Sequence, residues 1–374
     1  MIHFNAYYGM DVHQDSITIA RIVAGCDLVD ITTLPTDLKR IRDYFHRELK
    51  KYPLIASCYE AGGSAYFVHR LLAELGIHNQ IIAPTHIPKL ARKKVKNDKI
   101  DARDLVIFLK NGQLVPIYVP TEEEEIMREK TRQRQAIQGR LRRAKQQLSG
   151  MLRRFGLRYN ITKTKWTKSY WKWLHRINFS DSCLQIIFID YLDEIERIEK
   201  IKARLDKEII EMNQQWSKQP IVEAITTLKG VGEYGAICIV AEVGRFSRFE
   251  TASKFMGYLG LTPCEYSSGT RVTRGKITKM GNSRIRCLLI EGAQSYRRGL
   301  NKTGYLRSVW KEKPTEYVDH AWKAQKRLFG QFWSLVQKGK NPNVATVAVA
   351  RELAGFIWAI GCMEERRLLN QKVA

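Results

Sequence analysis

Several things are scarce in this sequence, and each scarcity narrows its chemistry. The seven cysteines, Cys26, Cys58, Cys183, Cys238, Cys264, Cys287 and Cys362, form no C-x-x-C pair. Odd in number and widely spaced, they argue against a zinc ribbon or a disulfide framework and fit a reducing cytoplasm. No apolar run approaches the roughly 18 residues of a membrane span, so no membrane-crossing helix is expected. Met1-Ile2-His3-Phe4-Asn5 has no basic stretch followed by an apolar one, so no signal peptide is expected. Acid is also scarce. The 374 residues hold 38 Asp and Glu against 63 Lys and Arg, a net charge of +25. What remains is globular in character: 44% hydrophobic residues and a length sufficient for two or three domains.

The charge is concentrated. Residues 128–172 hold 15 Lys and Arg and one acid, Glu129, and residues 265–313 hold 12 against three. Together they account for +23 of the +25, and the other 280 residues are nearly neutral. Such concentration reads as a footprint for a polyanion, with nucleic acid the leading partner. An anionic membrane fits less well, because neither segment pairs its charge with a broad apolar face.

Patterning divides the chain into three. Residues 1–121 read as α/β: strands at 5–11, 16–23 and 28–34, a helix at 37–51, a strand at 54–59, a helix at 64–75 closed by Gly76, a strand at 77–83 and a helix at 98–110. Residues 122–218 are almost free of turn residues. Ile137, Leu141, Ala144, Leu148, Met151 and Phe155 alternate by four and three, and a second stripe runs from Phe188 to Trp216, broken by Lys202. This pattern predicts an antiparallel coiled-coil arm; ordinary bundle packing is the alternative. Residues 219–374 read as mainly helical. Leu228-Lys229-Gly230-Val231-Gly232 opens an apolar helix, either as half of a phosphate-holding helical hairpin or as a plain turn.

In a basic protein the acids are informative, because metal-dependent phosphoryl chemistry needs them. Asp11 ends the first strand and Glu60 the fourth. Asp98 and Asp101, three apart, share a helix face, and Asp104 is an alternative further round. Two strand-end carboxylates and a helical pair can converge on a divalent cation; Mg2+ takes carboxylate, water and phosphate oxygens. Each acid also has a plain structural explanation: a turn for Asp11, a solvated strand end for Glu60, an N-cap for Asp98, a surface ion pair for Asp101.

Gly9-Met10-Asp11-Val12-His13, Tyr59-Glu60-Ala61-Gly62 and Lys96-Asn97-Asp98-Lys99-Ile100-Asp101-Ala102 resemble the three motifs of the DEDD-type insertion-sequence transposases. Leu259-Gly260-Leu261-Thr262-Pro263, Tyr266-Ser267-Ser268-Gly269 and Gly275-Lys276-Ile277-Thr278-Lys279-Met280-Gly281-Asn282 resemble that family's C-terminal domain, in the expected order. The resemblance implies a RuvC-like, RNase H-like N-terminal domain, a coiled coil and a helical transposase domain. It implies an acidic tetrad of Asp11, Glu60, Asp98 and Asp101 holding Mg2+, and a nucleophilic Ser268, with Ser267 the first alternative.

It also implies a phosphoserine intermediate, active sites shared between subunits of a dimer or tetramer, and a structured RNA that pairs with donor and target DNA. Arg271, Arg274, Lys276 and Lys279 would meet phosphate near Ser268. On the arm, Arg142, Arg143, Lys165, Trp166, Lys168 and Trp171 are the candidate nucleic-acid contacts, with aromatics stacking on bases and cations on phosphates; an amphipathic helix with buried aromatics is the alternative there. Two other functions fit fewer residues: a metal-dependent nuclease using water, and a non-catalytic RNA- or DNA-binding scaffold.

Overall fold

The computed structural model describes residues 3–62, 66–88, 97–162, 164–266, 273–301 and 303–373. It divides into two compact units, Met1–Val119 and Pro120–Ala374.

The first unit is a five-stranded sheet covered by helices on both faces. Its elements are β1 (Ala6–Val12), β2 (Ser16–Val23), β3 (Asp30–Pro35), α1 (Leu38–Lys51), β4 (Ile55–Glu60), α2 (Phe67–Glu74), β5 (His78–Ile82) and α3 (Asp98–Lys110). The strand order is β3-β2-β1-β4-β5. The first three strands form an antiparallel meander, whereas β4 runs parallel to both β1 and β5. Parallel pairing requires a crossover, and α1 supplies it between β3 and β4.

Strand alternation decides which helix covers which face. Tyr8 and Met10 of β1 join Ile17 and Ile19 of β2 in a core with Ile41 and Phe45 of α1. The opposite face, carrying Gly9, Ala20, Ile22 and Cys58, receives α3 through Ala102, Leu105 and Val106. Here Cys58 donates its thiol to the Leu105 carbonyl at 3.6 Å. The α3 face also carries the candidate acids, because Asp11 lies two residues beyond Gly9 and Glu60 two beyond Cys58.

The second unit is helical. Its first part is a pair of long helices, α4 (Glu122–Arg154) and α6 (Ser182–Gln214), with the short α5 (Lys168–Leu174) between them. A capping box between Thr121 and Glu124 starts α4. The pairing is antiparallel: Lys130 meets Glu208 at 2.5 Å, Arg134 meets Asp206 at 2.6 Å, and Lys145 meets Glu199 at 2.5 Å. The stripe from Ile137 to Met151 is buried against Phe188, Ile195, Ile198 and Leu205, as its spacing predicts. Phe155 departs from the stripe: it caps α4 and is 51% exposed. Leu192 is buried, whereas Tyr191, whose spacing puts it in the second stripe, is half-buried.

The remaining elements are α7 (Gln219–Ile225), α8 (Glu233–Val243), α9 (Ala252–Tyr258), a hairpin of β6 (Pro263–Glu265) and β7 (Arg274–Ile277), α10 (Ser283–Ala293), α11 (Gly304–Lys311), α12 (Thr315–Gln337) and α13 (Pro342–Val373). Leu228 and Val231, in the turn before α8, are buried in the core. This packing favours the plain-turn reading of that segment.

Pro342–Gln371 is long and apolar enough by composition to cross a membrane, although no such helix was expected. Half of its apolar window is buried: Val349, Leu353, Ile357 and Ile360 sit in the same core as α8 and α10. A helix that is apolar on most sides is what the centre of a helical core requires.

Candidate active site

The acids gather because of how α3 crosses the sheet. Its sheet-facing stripe, Ala102, Leu105, Val106 and Leu109, lies over β1, β2 and β4. Extended one turn towards the N-terminus, that stripe comes to Asp98 and Asp101, near Asp11, the last residue but one of β1. The close crossing depends on Gly9. A Cβ there would stand inside contact distance of the Ala102 carbonyl oxygen and the Val106 amide nitrogen, and 3.0 Å from the Leu105 carbonyl carbon. Asn97, not Asp98, caps α3, its side chain accepting from the Lys99 amide at 3.0 Å. Asp98 and Asp101 therefore occupy the first turn with their side chains free of the capping role, where negative charge also suits the helix dipole.

Asp11 is largely buried, with its side chain 17% exposed, whereas that of Asp98 is 56% exposed. Burial pushes the Asp11 carboxyl above its ordinary range; the nearby His13 opposes this, and the charges of Asp98 and Asp101 reinforce it. Three carboxylates thus act on one another at the end of β1. Glu60 ends β4 on the same face, one residue beyond the Met10–Tyr59 pair and so level with Asp11. Asp104 is half-buried on α3.

The sequence reading passed over His13. Its Nε2 lies 3.2 Å from Asp11 Oδ2 and 3.7 Å from Asp98 Oδ1. The donor atoms of Asp11, His13 and Asp98 all lie within 4.8 Å of one another, a grouping able to hold a metal ion. The residues fit a divalent cation, because carboxylates crowded around a largely buried Asp11, whose own carboxyl is pushed up, call for positive charge.

In the second unit, Ser267, Ser268 and Arg271 lie outside the described residues, as does the side chain of Arg274. The described residues on either side of them are paired. The Tyr266 amide donates to the Thr273 carbonyl at 2.9 Å, closing the β6–β7 hairpin. Below it the two glycine motifs cross backbone to backbone. A Cβ on Gly260 would collide with Met280, and one on Gly281, whose φ is +83°, with the Tyr258 carbonyl. The Thr278 amide donates to Thr262 at 2.9 Å and the Lys279 amide to Gly260 at 3.1 Å. Arg286 donates to the Leu259 carbonyl at 2.8 Å. Lys276 and Lys279 are exposed beside the hairpin.

Asn282 ends this motif and caps α10, accepting from the amides of Arg284 and Ile285 at 3.0 and 3.1 Å. Its amide also donates to Glu242 of α8 at 2.8 Å. Glu242, 5% exposed, accepts a forked pair from Arg132 of α4 at 2.8 and 3.0 Å. Burial alone would raise the Glu242 carboxyl, but the Arg132 bonds and charge, the charge of Arg128 and the Asn282 bond hold it below its ordinary value. The sequence reading did not pick out Glu242.

On α4, α5 and the segment between them, Arg142, Arg143, Lys165 and Lys168 are exposed, whereas Trp166 and Trp171 are half-buried. Trp166 packs against Tyr170 and Trp171 with ring centres 5.0 and 5.9 Å apart, and Lys145 sits 4.8 Å above it. Tyr170 is 1% exposed. These aromatics form a small core at the end of the helix pair, with Trp166 and Trp171 half-buried at its edge. Arg142 also borders a groove of about 780 Å³ between α4 and α10, lined by Arg134, Gln138 and Arg284.

Comparison with known proteins follows this geometry. Residues 8–156 match the DEDD transposase domain of the IS110 type, and residues 222–304 match the description "Transposase IS116/IS110/IS902 family". A Sinorhizobium fredii (strain NBRC 101917 / NGR234) protein named for a transposase, y4qE, is 36% identical over 314 residues, covering 83% of this chain and 76% of its own length. The "Transposase for insertion sequence element IS1533" of Leptospira borgpetersenii is 27% identical over 340 residues, covering 90% of this chain and 98% of its own length. The two matched regions take in both the strand that carries Asp11 and the hairpin built on Gly260 and Gly281, and the chain belongs to the IS110/IS116 family of DEDD insertion-sequence transposases.

Proposed function

We propose that this transposase cuts and rejoins DNA with two sets of groups, one from each unit. The first is the acidic cluster of Asp11, Glu60, Asp98 and Asp101, and the second is Ser268 with the cations around it. The observation that carries the reading is the convergence of Asp11 and Asp98 at the end of β1, with Asp101 acting on Asp11 electrostatically. In this reading the first unit is a RuvC-like, RNase H-like fold, the helix pair is a coiled-coil arm, and the boundaries fall at 1–121, 122–218 and 219–374.

Asp11 and Glu60, fixed on adjacent strand ends, would hold a Mg2+ ion from the sheet, and Asp98 and Asp101 from the helix. When bound, the cation supplies Lewis-acid stabilisation of charge on the phosphate oxygens. The Ser268 oxygen attacks phosphorus, an O–P bond forms, and the bond to the 3′ oxygen breaks. The serine proton leaves to water or a cluster carboxylate, and the 3′ oxygen takes up a proton. The 5′ end is then held as a phosphoserine, and its bond energy is conserved for rejoining. Lys276 and Lys279 offset the added negative charge. The exposed cations of the arm and of the α4–α10 groove hold DNA and a structured guide RNA, and a dimer or tetramer brings the two sets of groups onto one phosphate.

The test is incubation of the protein with DNA carrying the element's junctions, with and without Mg2+. We expect metal-dependent cleavage, a protein–DNA adduct, and loss of the adduct in Ser268→Ala. Cleavage without an adduct would assign water as the nucleophile. Unchanged activity in Asp11→Asn would remove the acidic cluster from the mechanism.

A further inference from the structure

We propose that His13 is a direct ligand in the acidic site, through Nε2, making it a mixed nitrogen–oxygen centre that favours Mn2+ over Mg2+. The proposal rests on the reading of Asp11 and Asp98 as metal ligands and adds a residue to them.

Placement comes first. His13 lies two residues beyond Asp11 and one past the end of β1, and its ring comes to the α3 side, 3.7 Å from Asp98. Its backbone is pinned at both ends: its amide donates to the Ser16 carbonyl at 2.9 Å, and its carbonyl accepts from the Thr36 hydroxyl at 2.9 Å. The second bond ties it to the segment after β3. The ring is therefore presented from a fixed turn, not from a free tail.

Distance comes next. Ligands on one cation stand no further apart than twice the bond length, about 4.2 Å for bonds of about 2.1 Å. His13 Nε2 lies 3.2 Å from one Asp11 oxygen and 3.7 Å from one Asp98 oxygen, inside that limit for both. The ring also has room to adjust, because the side chain is 55% exposed.

Chemistry then sets the preference. Mg2+ is hard, keeps its water and takes oxygen ligands. An imidazole in the set shifts preference towards first-row transition cations, among which Mn2+ also accepts carboxylate and water. A His13 that only balances charge by hydrogen bonding to Asp11 would leave Mn2+ and Mg2+ affinities in their all-oxygen relation.

The experiment is Mn2+ titration of the full-length protein followed by electron paramagnetic resonance, with pulsed detection of nitrogen coupling and with Mg2+ competition. We expect a 14N coupling in the wild type that changes to a 15N coupling on uniform 15N labelling. In His13→Gln the coupling disappears, Mn2+ affinity falls about tenfold or more, and Mg2+ affinity stays within about twofold. Circular dichroism of His13→Gln checks that the fold is kept. Mn2+ bound in an Asp11-dependent way without nitrogen coupling, or equal losses for both cations in His13→Gln, would overturn the His13 assignment and leave the acidic site standing. Retention of Mn2+ binding in Asp11→Asn would instead overturn the acidic site itself, and the His13 proposal with it.

Discussion

Gly9 and Ala102 touch backbone to backbone: the Ala102 carbonyl oxygen occupies the space that a Cβ on Gly9 would need. This contact sets the height of α3 above β1. Because Asp98 and Asp101 ride on the first turn of α3 and Asp11 is the last residue but one of β1, it also sets the spacing of the carboxylates.

Gly9→Ala should therefore damage the site without changing any ligand. Overpacking of this kind costs about 1–3 kcal/mol. We expect a lower Tm together with weaker divalent-cation binding. Asp11→Asn also loses cation binding but moves stability the other way. Burial and the charges of Asp98 and Asp101 penalise the ionised Asp11 in the folded state. That penalty is absent well below the ordinary value of 3.8 and complete once pH exceeds the raised one. In chelator at neutral pH, Asp11→Asn should keep or raise the Tm while abolishing cation binding and lowering cleavage more than about 100-fold. Differential scanning calorimetry beside a cation titration separates the two variants.

Glu242 offers a pH test in the second unit. Its folded carboxyl is held below the ordinary value of 4.5, so the stability it contributes is complete above that value and is lost as pH falls through the lowered one. Glu242→Gln takes away the acid facing Arg128 and leaves Arg132 with only the exposed Glu129, at 3.0 Å. Breaking a buried pair costs about 3–5 kcal/mol, and the 36% exposure of the Arg132 side chain reduces this to about 2 kcal/mol. We expect denaturant unfolding at pH 7 to show that loss. The gap between wild type and variant should shrink as pH falls below 4.5.

Much of this was legible in the sequence, for reasons that particular residues make plain. Strands β1, β2, β4 and β5 follow short β-rich runs, and α3 follows the spacing of Ala102, Leu105, Val106 and Leu109. The acids stood out because carboxylates are rare in a basic chain. His13 did not, since a histidine just past a strand end looks like any turn residue until α3 brings Asp98 to within 3.7 Å. Glu242 was hidden by distance: it meets Arg132 across 110 positions, and no periodicity encodes such a pair. Helix α13 was disguised by Arg351 and Glu352 in the middle of its apolar stretch. Glu352 is answered by Arg327 at 2.7 Å, which explains how the charge sits on a core helix.

Gly281→Ala should uncouple the hairpin from its support. The residue has a φ of +83° and faces the Tyr258 carbonyl with no room for a side chain. Strained φ together with the collision should cost about 2 kcal/mol or more. In the proposed mechanism the loop above it carries Ser268. Thermal unfolding should show the destabilisation, and protein–DNA adduct formation should fall even at temperatures where the variant remains folded. A destabilised variant with an undiminished adduct would separate the crossing from the chemistry.

The arm makes a prediction about salt. Arg142, Arg143 and Lys168 are exposed, and Trp166 and Trp171 have their rings packed against neighbours. If the cations meet phosphate and the aromatics chiefly hold the arm together, the two sets of substitutions should behave differently. Each cation changed to alanine should weaken nucleic-acid binding uniformly across sequences and lower the slope of log affinity against log salt by about 1. The triple variant should therefore lose about three units of slope with its Tm unchanged. Trp166→Ala should instead lower the Tm and leave the slope as it was, because it removes packing from the end of the helix pair and no charge. Filter binding over a range of salt concentrations, beside thermal unfolding, measures both. A change of slope in Trp166→Ala would return that ring to the nucleic-acid interface.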